Sequence, residues 1–335
     1  MNAIGKEAME RATSPKRQSR ISSIKDRIGI HNVSLLLALA VLLVIFGALR
    51  GDVFFSSRNF LNIGLAVTIL GVLAMSQTVV IVAGGLDISV GSMVGLTTVS
   101  AATALQMTES PALAILAGLV IGGIAGIVNG LIITYGRVNA VIATLGTMAI
   151  FRGIAFILSD GQSISIFNDT FRFMGVGTFL GLQFPIWVLI AAAVLFQVFL
   201  AKSIVGRNVY ALGGNPVVAR LSGIKVNRYR IGIYVMSGFF AGVAGILLAA
   251  RTGSGQPISG SQGLELEAIT AAVLGGCALQ GGKGTVAGAL LGVAIIGILN
   301  NGMILTSVPT FYQLLAKGSL LILAVIIAEY QQNRA

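Results

Sequence analysis

"VAGGLDISVGS", residues 82–92, separates two long apolar stretches and sets a carboxylate, Asp87, between them. The reading of that interruption decides the fold. Asp87 is either the polar residue of a tight turn that caps the next helix, or part of a broken membrane helix lining a path for something polar. On insertion scales an aspartate at mid-span costs about 2.5–3.5 kcal/mol, while each Leu, Ile or Val returns only about 0.3–0.6 kcal/mol. Central burial would therefore cancel roughly five or more apolar residues. A turn is cheaper: Gly84 and Gly85 can end one helix in a left-handed conformation, and the Asp87 carboxylate can cap the next. The expectation is a capped hairpin at the cytoplasmic edge of a helix bundle. A half-helix terminus bordering a passage stays open as the second reading, because polar breaks at membrane depth survive only against protein or water.

The flanks of this turn set the fold class. The 335 residues are 56% hydrophobic and 10% charged, with a mean hydropathy of +0.93, whereas a soluble domain is about 25% charged. The apolar surplus falls in runs of roughly 17 to 24 residues, the length that crosses a hydrocarbon core of about 30 Å. This predicts an all-α polytopic membrane protein. The low aromatic content, 7%, and the lack of alternating ten-residue segments exclude an outer-membrane barrel. About ten transmembrane helices are predicted, at 33–49, 60–82, 88–107, 112–134, 140–158, 184–200, 230–249, 265–280, 285–305 and 310–328. Together they form one transmembrane domain over 31–330, behind a basic tail at 1–30 that holds seven Lys/Arg and reads as retained.

Charge sets the orientation. With the N-terminus inside, ten crossings return the C-terminus inside, and 16 of the 22 Lys/Arg fall on the cytoplasmic side. Arg50, Arg58, Arg172 and Arg251 fall outside, while Arg152 and Lys317 lie within spans. That bias obeys the positive-inside rule. The formal charge of +11 thus points to membrane lipid and not to nucleic acid.

Small residues recur every fourth position at Gly118, Gly122, Gly126 and Gly130, and again at Gly284, Gly288 and Gly292. In lipid such stripes let helix backbones approach closely. "GIVNGLIIT" (126–134) resembles "GILNNGMILT" (297–306), a candidate inverted repeat of the transporter kind. A rival register aligns Gly84, Gly85, Gly91 and Gly95 with Gly281, Gly282, Gly288 and Gly292.

The loop 201–230 is the longest cytoplasmic connection and carries a short-helix signature. Asn215 suits the N-cap, Pro216 the first helical position and Gly223 the position past the end. Val217, Leu221 and Ile224 recur on one face of about two turns. Arg207, Arg220, Lys225, Arg228 and Arg230 surround it. An apolar knob ringed by cations suits docking into a groove of a partner protein. The competing reading is an interfacial helix on anionic lipid.

Five segments in order carry a family resemblance: "AGGLDISVGS", "ATLGTMAIFRGIAF", "GRNVYALGGNPVVARLSGIKV", "YVMSGFFAGVAGILLAAR" and "ELEAITAAVLGGCALQGGKGTVAGALLG". Together, from about residue 35 to 328, they resemble the membrane permease of ribose-type ABC sugar importers. The resemblance implies a homodimer of ten-helix subunits in the bacterial inner membrane. It also implies a cytoplasmic ATPase that binds ATP and magnesium, and a periplasmic sugar-binding protein. By the same resemblance residues 213–225 match the segment that couples to the ATPase, with Asn215, Pro216, Val217, Arg220, Leu221 and Gly223 as its key residues. Similar permeases often carry Pro-Phe where this chain has Asn139-Ala140.

The remaining polar residues are few. Pathway candidates are Asp87, Asn129, Asn300, Asn301 and Lys317, since intramembrane ionisable groups are functional candidates by default. For the asparagines the tying of helices is the favoured role. Arg152 reads as snorkelling, and Glu265 and Glu267 as anions at an outward-facing helix start. The single Cys277 and single His31 exclude a cysteine cluster and a His-based metal site, and no catalytic constellation can be assembled. "GGCALQGGKGT" (275–285) fails the phosphate-loop pattern, because Cys277 stands where its first glycine belongs and Gly284 separates Lys283 from Thr285. The expected function is a permease subunit of a binding-protein-dependent importer for a ribose- or xylose-like monosaccharide. The chain itself is then no enzyme and holds no cofactor. An ion-gradient-driven transporter coupled through Asp87 or Lys317 is the alternative. The outer segment 159–183, with Arg172 and several phenylalanines, is the expected contact for the binding protein.

Overall fold

The computed structural model describes residues 30–260 and 263–332. The basic tail, apart from Ile30, lies outside them, as does Arg334. Thirteen helices follow in order among the described residues: α1 Ile30–Phe54, α2 Ser57–Val82, α3 Val90–Thr108, α4 Pro111–Thr134, α5 Ala140–Leu158, α6 Asp169–Val176, α7 Phe184–Lys202, α8 Ile204–Gly214, α9 Pro216–Leu221, α10 Val226–Thr252, α11 Leu264–Leu274, α12 Val286–Leu305 and α13 Thr310–Gln332. Two tiny antiparallel pairs complete the fold. β1 (Ile164–Ser165) pairs with β4 (Ser254–Gly255), and β2 (Thr178–Phe179) with β3 (Leu182–Gln183).

Local chemistry sets these boundaries. Ser56, Ser110, Asn139, Asn168, Ser203 and Thr285 each accept a backbone N–H in the first turn of the helix they precede, which satisfies donors that the helix leaves free. The departure at Asn139-Ala140 has a local role: the Asn139 side chain accepts the Val141 N–H at 2.9 Å and starts α5.

Seven helices among the described residues are long and apolar enough to cross a membrane: α1, α2, α4, α5, α7, α10 and α12. The helix expected at 265–280 is shorter than that reading. α11 has 11 residues, a rise of about 16 Å, which cannot span a core of about 30 Å. Gly275 and Gly276 end it, Gly276 in the left-handed region (φ 91°). The chain then turns through Gly281 and Gly282 before α12 begins.

α3 lies at the centre of the bundle, buried over Val90–Ala102 despite its many hydroxyls. Thr97, Thr98 and Ser100 donate to carbonyls one turn back, at 2.9, 2.7 and 2.8 Å, so the polar helix brings few unmet groups into the core. α2, α4 and α10 wrap around it. α1, α5, α7 and α13 carry exposed apolar side chains such as Leu37, Ile142, Val194 and Leu315, the surface that lipid or another chain covers.

α4 and α10 cross through their glycines. A methyl group at Gly122 would collide with the Gly238 carbonyl, one at Gly238 with the Gly122 carbonyl, and one at Gly126 with the Tyr234 carbonyl. The same holds at Gly288 and Gly292 of α12 against Gly275 and Ala271. Both stripes therefore serve helix packing, as expected where backbones touch.

One end of the bundle gathers the turn 83–89, the α4–α5 connection, α8–α9 and residues 276–285. Gly282 N donates to the Val82 carbonyl at 2.8 Å and Tyr210 Oη to the Gly284 carbonyl at 2.7 Å. The "GGKG" stretch is thus a compact turn seated on α2 and α8. The other end holds the β1–β4 pair and α6, where Ile166 N donates to the Gly253 carbonyl at 2.8 Å.

Candidate functional site

Asp87 is fully buried and is not the cap of α3. Ser89 occupies that position without a side-chain cap bond. Gly84 does take the left-handed conformation past α2 (φ 78°), but the carboxylate turns into the bundle. Its Oδ1 accepts from Ser89 N at 3.1 Å, Ser89 Oγ at 2.6 Å and Asn129 Nδ2 at 3.4 Å, and its Oδ2 from Ser237 Oγ at 2.8 Å. Asn129 Nδ2 also donates to Ser89 Oγ at 2.8 Å, and Thr147 Oγ1 donates to Asn129 Oδ1 at 2.6 Å. Gln77 Nε2 reaches Ser237 Oγ at 3.5 Å. One carboxylate therefore joins α2, α4, α5 and α10 to the turn before α3. No ion pair holds Asp87 among the described residues, so hydrogen bonds alone make its burial tolerable.

Beneath this turn a cavity of about 480 Å³ opens between the ends of α2 and α4, the start of α5 and the first turns of α10. Gly84, Gly85, Thr134, Arg137, Asn139, Arg230 and Tyr234 border it, and Asp87 does not. Tyr234 Oη donates to the Leu86 carbonyl at 3.3 Å, so a residue that borders this space also holds the turn.

The other pathway candidates separate. Asn129 belongs to the Asp87 network. Asn301 pairs amide to amide with Asn59, at 2.8 and 3.1 Å, and ties α12 to α2. Asn300 is half-buried, and its Oδ1 makes no hydrogen bond. Lys317 of α13 forms an ion pair of 2.7 Å with Glu267 of α11, both partly buried. Glu265 and Glu267 lie in the first turn of α11 as expected, but Glu265 is not at an exposed outer surface. It is buried against α3 at Gly91, where a methyl group would collide with its Oε2.

α9 is the exposed element of the same end as the cavity. Asn215 Oδ1 accepts from Val217 N and Val218 N at 3.0 and 3.1 Å, with Pro216 at the first position. Gly223 N donates to the Arg220 carbonyl at 3.0 Å from a left-handed backbone (φ 84°). Val217 and Leu221 are 66% and 83% exposed, and Val218 joins them. Ile224 does not share that face. It follows the six-residue helix, bonds back to the Ala219 carbonyl at 3.1 Å and packs inward. Arg220, Lys225, Arg228 and Arg207 are all exposed around the knob.

Gln77, Ser89, Thr147 and Ser237 were not singled out from the sequence. Each is a lone polar residue in an apolar run, a signal that names no partner.

Residues 59–325 match the family described as "Branched-chain amino acid transport system / permease component". The chain is 40% identical over 325 residues to the L-arabinose ABC transporter permease protein AraH of Azospirillum brasilense, covering 96% of each. It is 42% identical over 288 residues to the ribose import permease protein RbsC of Bacillus subtilis (strain 168), covering 85% of this chain and 89% of that one. To the ribose import permease protein RbsC of Escherichia coli (strain K12) it is 39% identical over 301 residues, 89% and 93% of the two chains.

Proposed function

The chain belongs to the transport-system permease family matched over residues 59–325, and from that premise we propose that it is the translocating subunit of an ATP-driven monosaccharide importer. The family description names branched-chain amino acids, but the relatives similar along nearly the whole chain are named for ribose and arabinose. A pentose-like sugar is the preferred cargo. Ten membrane crossings result when α3 and α13 count with the seven long apolar helices and the short α11 completes one crossing together with the chain before it, where Gly255, Pro257 and Gly260 lie against Thr98, Gly95 and Gly91 of α3. In that arrangement both termini are cytoplasmic, the domain runs over 31–330, and the repeat halves are inverted. The inner membrane is the setting, and a second copy of the chain completes the pathway against the exposed apolar faces.

The observation that carries this reading is α9. A capped, six-residue helix with exposed Val217, Val218 and Leu221 in a cationic surround offers a poor structural reason for its own exposure. It suits a groove in a cytoplasmic ATPase, which would bind the ATP and magnesium. The exposed Phe167, Phe179 and Leu180 at the opposite end suit the periplasmic sugar-binding protein. Closure of the ATPase would move α8 and α9, and through Tyr210 and Gly213 the turns at 83–89 and 276–285. A weak sugar site is enough in such a passage, because a tight one would hinder release.

Two experiments test it. With proton and sodium gradients collapsed and ATP maintained, uptake by the complete transporter is expected to continue; its loss would establish ion coupling instead. Leu221→Asp removes a central apolar anchor, worth about 2 kcal/mol or more at a hot spot, and Gly223→Pro forbids the positive φ. Both variants are expected to reach the membrane in normal amount yet lose uptake and ATPase co-purification. Normal uptake with normal co-purification would defeat the assignment of α9.

A further inference from the structure

We infer that the basic groove at the base of α9 holds the phosphate headgroup of an anionic phospholipid from the cytoplasmic leaflet, an inference that rests on the orientation proposed above. The groove has a volume of about 670 Å³ and lies between the end of α4 and the α9–α10 junction. Arg137, Arg220, Lys225, Arg228 and Arg230 line it, and no carboxylate does. Among the described residues the ion pair found is Lys317–Glu267, which involves none of the five. The carboxylate whose turn lies at this end, Asp87, is buried and engaged by Ser89, Asn129 and Ser237. Five like charges in one concavity repel each other unless an anion joins them.

Depth selects the anion. Thr134 and Tyr135, also in the lining, end an apolar helix long enough to cross the membrane. Tyr135 is 65% exposed, the aromatic placement typical of the headgroup level. Ile142, early in the next helix, is 67% exposed, an apolar side chain on a helix long and apolar enough to cross the membrane. The knob residues Val217 and Leu221, which a protein partner would take, are absent from the lining. A phosphodiester at a basic pocket beside helix ends is the known geometry of lipid headgroup sites.

The test uses the full-length permease purified in neutral detergent and offered phosphatidylglycerol or phosphatidylcholine, with bound lipid read by native mass spectrometry. Wild type is expected to retain phosphatidylglycerol selectively. The double variant R137Q/R228Q should lose this by roughly tenfold or more, R137K/R228K should keep it, and K202Q/K283Q, with charges at the same end but outside the groove, should keep it as well. Matched melting temperatures establish that R137Q/R228Q is folded. Equal loss in K202Q/K283Q would reduce the effect to general surface charge and overturn the proposal. Displacement of the lipid by inorganic phosphate alone would make it a free-anion site and overturn it too. Lipid retention unchanged in R137Q/R228Q, with ATPase co-purification lost, would make the groove a protein-docking face. Tags placing 201–230 outside the cell would sink the orientation while leaving this detergent measurement intact.

Discussion

Replacing Gly126 by isoleucine is expected to leave little folded protein in the membrane. A β-carbon there collides with the Tyr234 carbonyl and lies 2.8 Å from the Val235 Cα. Both obstacles are backbone, so no rotamer relieves them and α4 must part from α10. Overpacking of a core costs about 1–3 kcal/mol even where side chains can shift, and a roughly tenfold loss of the folded form needs only about 1.4 kcal/mol. The separation also strains the Asp87 network, whose Asn129 and Ser237 sit on the two helices being forced apart. Gly123→Ile is the control, since nothing lies within 4 Å of a β-carbon at that position of the same helix. Membrane abundance and size-exclusion profiles of the two variants decide the matter. Equal abundance would mean that the α4–α10 contact does not hold the bundle together.

The second large effect is expected at Asp87. Leucine there keeps the bulk and removes the acceptor, so Ser89, Ser237 and Asn129 lose a shared partner. Each buried donor left unmet costs about 1–3 kcal/mol, and the loosening reaches α4, α5 and α10 together. D87L is expected to lower the melting temperature sharply and abolish uptake. D87N retains one acceptor oxygen and should fall between D87L and wild type in both measures. A structural latch lowers stability and uptake in parallel. If D87N cut uptake while the melting temperature stayed at the wild-type value, Asp87 would be touching cargo, and its role as a latch would be refuted.

Much of the fold was readable from hydropathy, because a span of this length must be apolar and its ends must be capped. The boundaries of α5, expected at 140–158, and of α12, expected at 285–305, differ from the structure by no more than one residue. Asn215, Pro216 and Gly223 were readable because each satisfies a purely local requirement of a short helix: a side-chain acceptor, a pre-set φ and a positive φ. Ile224 was misread because the i, i+4, i+7 spacing was carried past Gly223, whose positive φ turns the chain out of the helix. α11 was overlong because an apolar run does not reveal that glycines 275 and 276 will turn the chain back.

Sequence alone determined that this chain is a helical membrane protein, which end of it is rich in cations, and where a small capped helix interrupts the longest polar loop. Those are properties of composition and of contacts within a few residues. Only the tertiary structure decided what Asp87 does, which helices its partners come from, that Lys317 meets Glu267, and that five scattered cations share one groove. The partners of Asp87 lie 2, 42 and 150 residues away in sequence. A side chain announces that it needs a hydrogen bond or a counter-charge, and only the packing of distant helices determines which group supplies it.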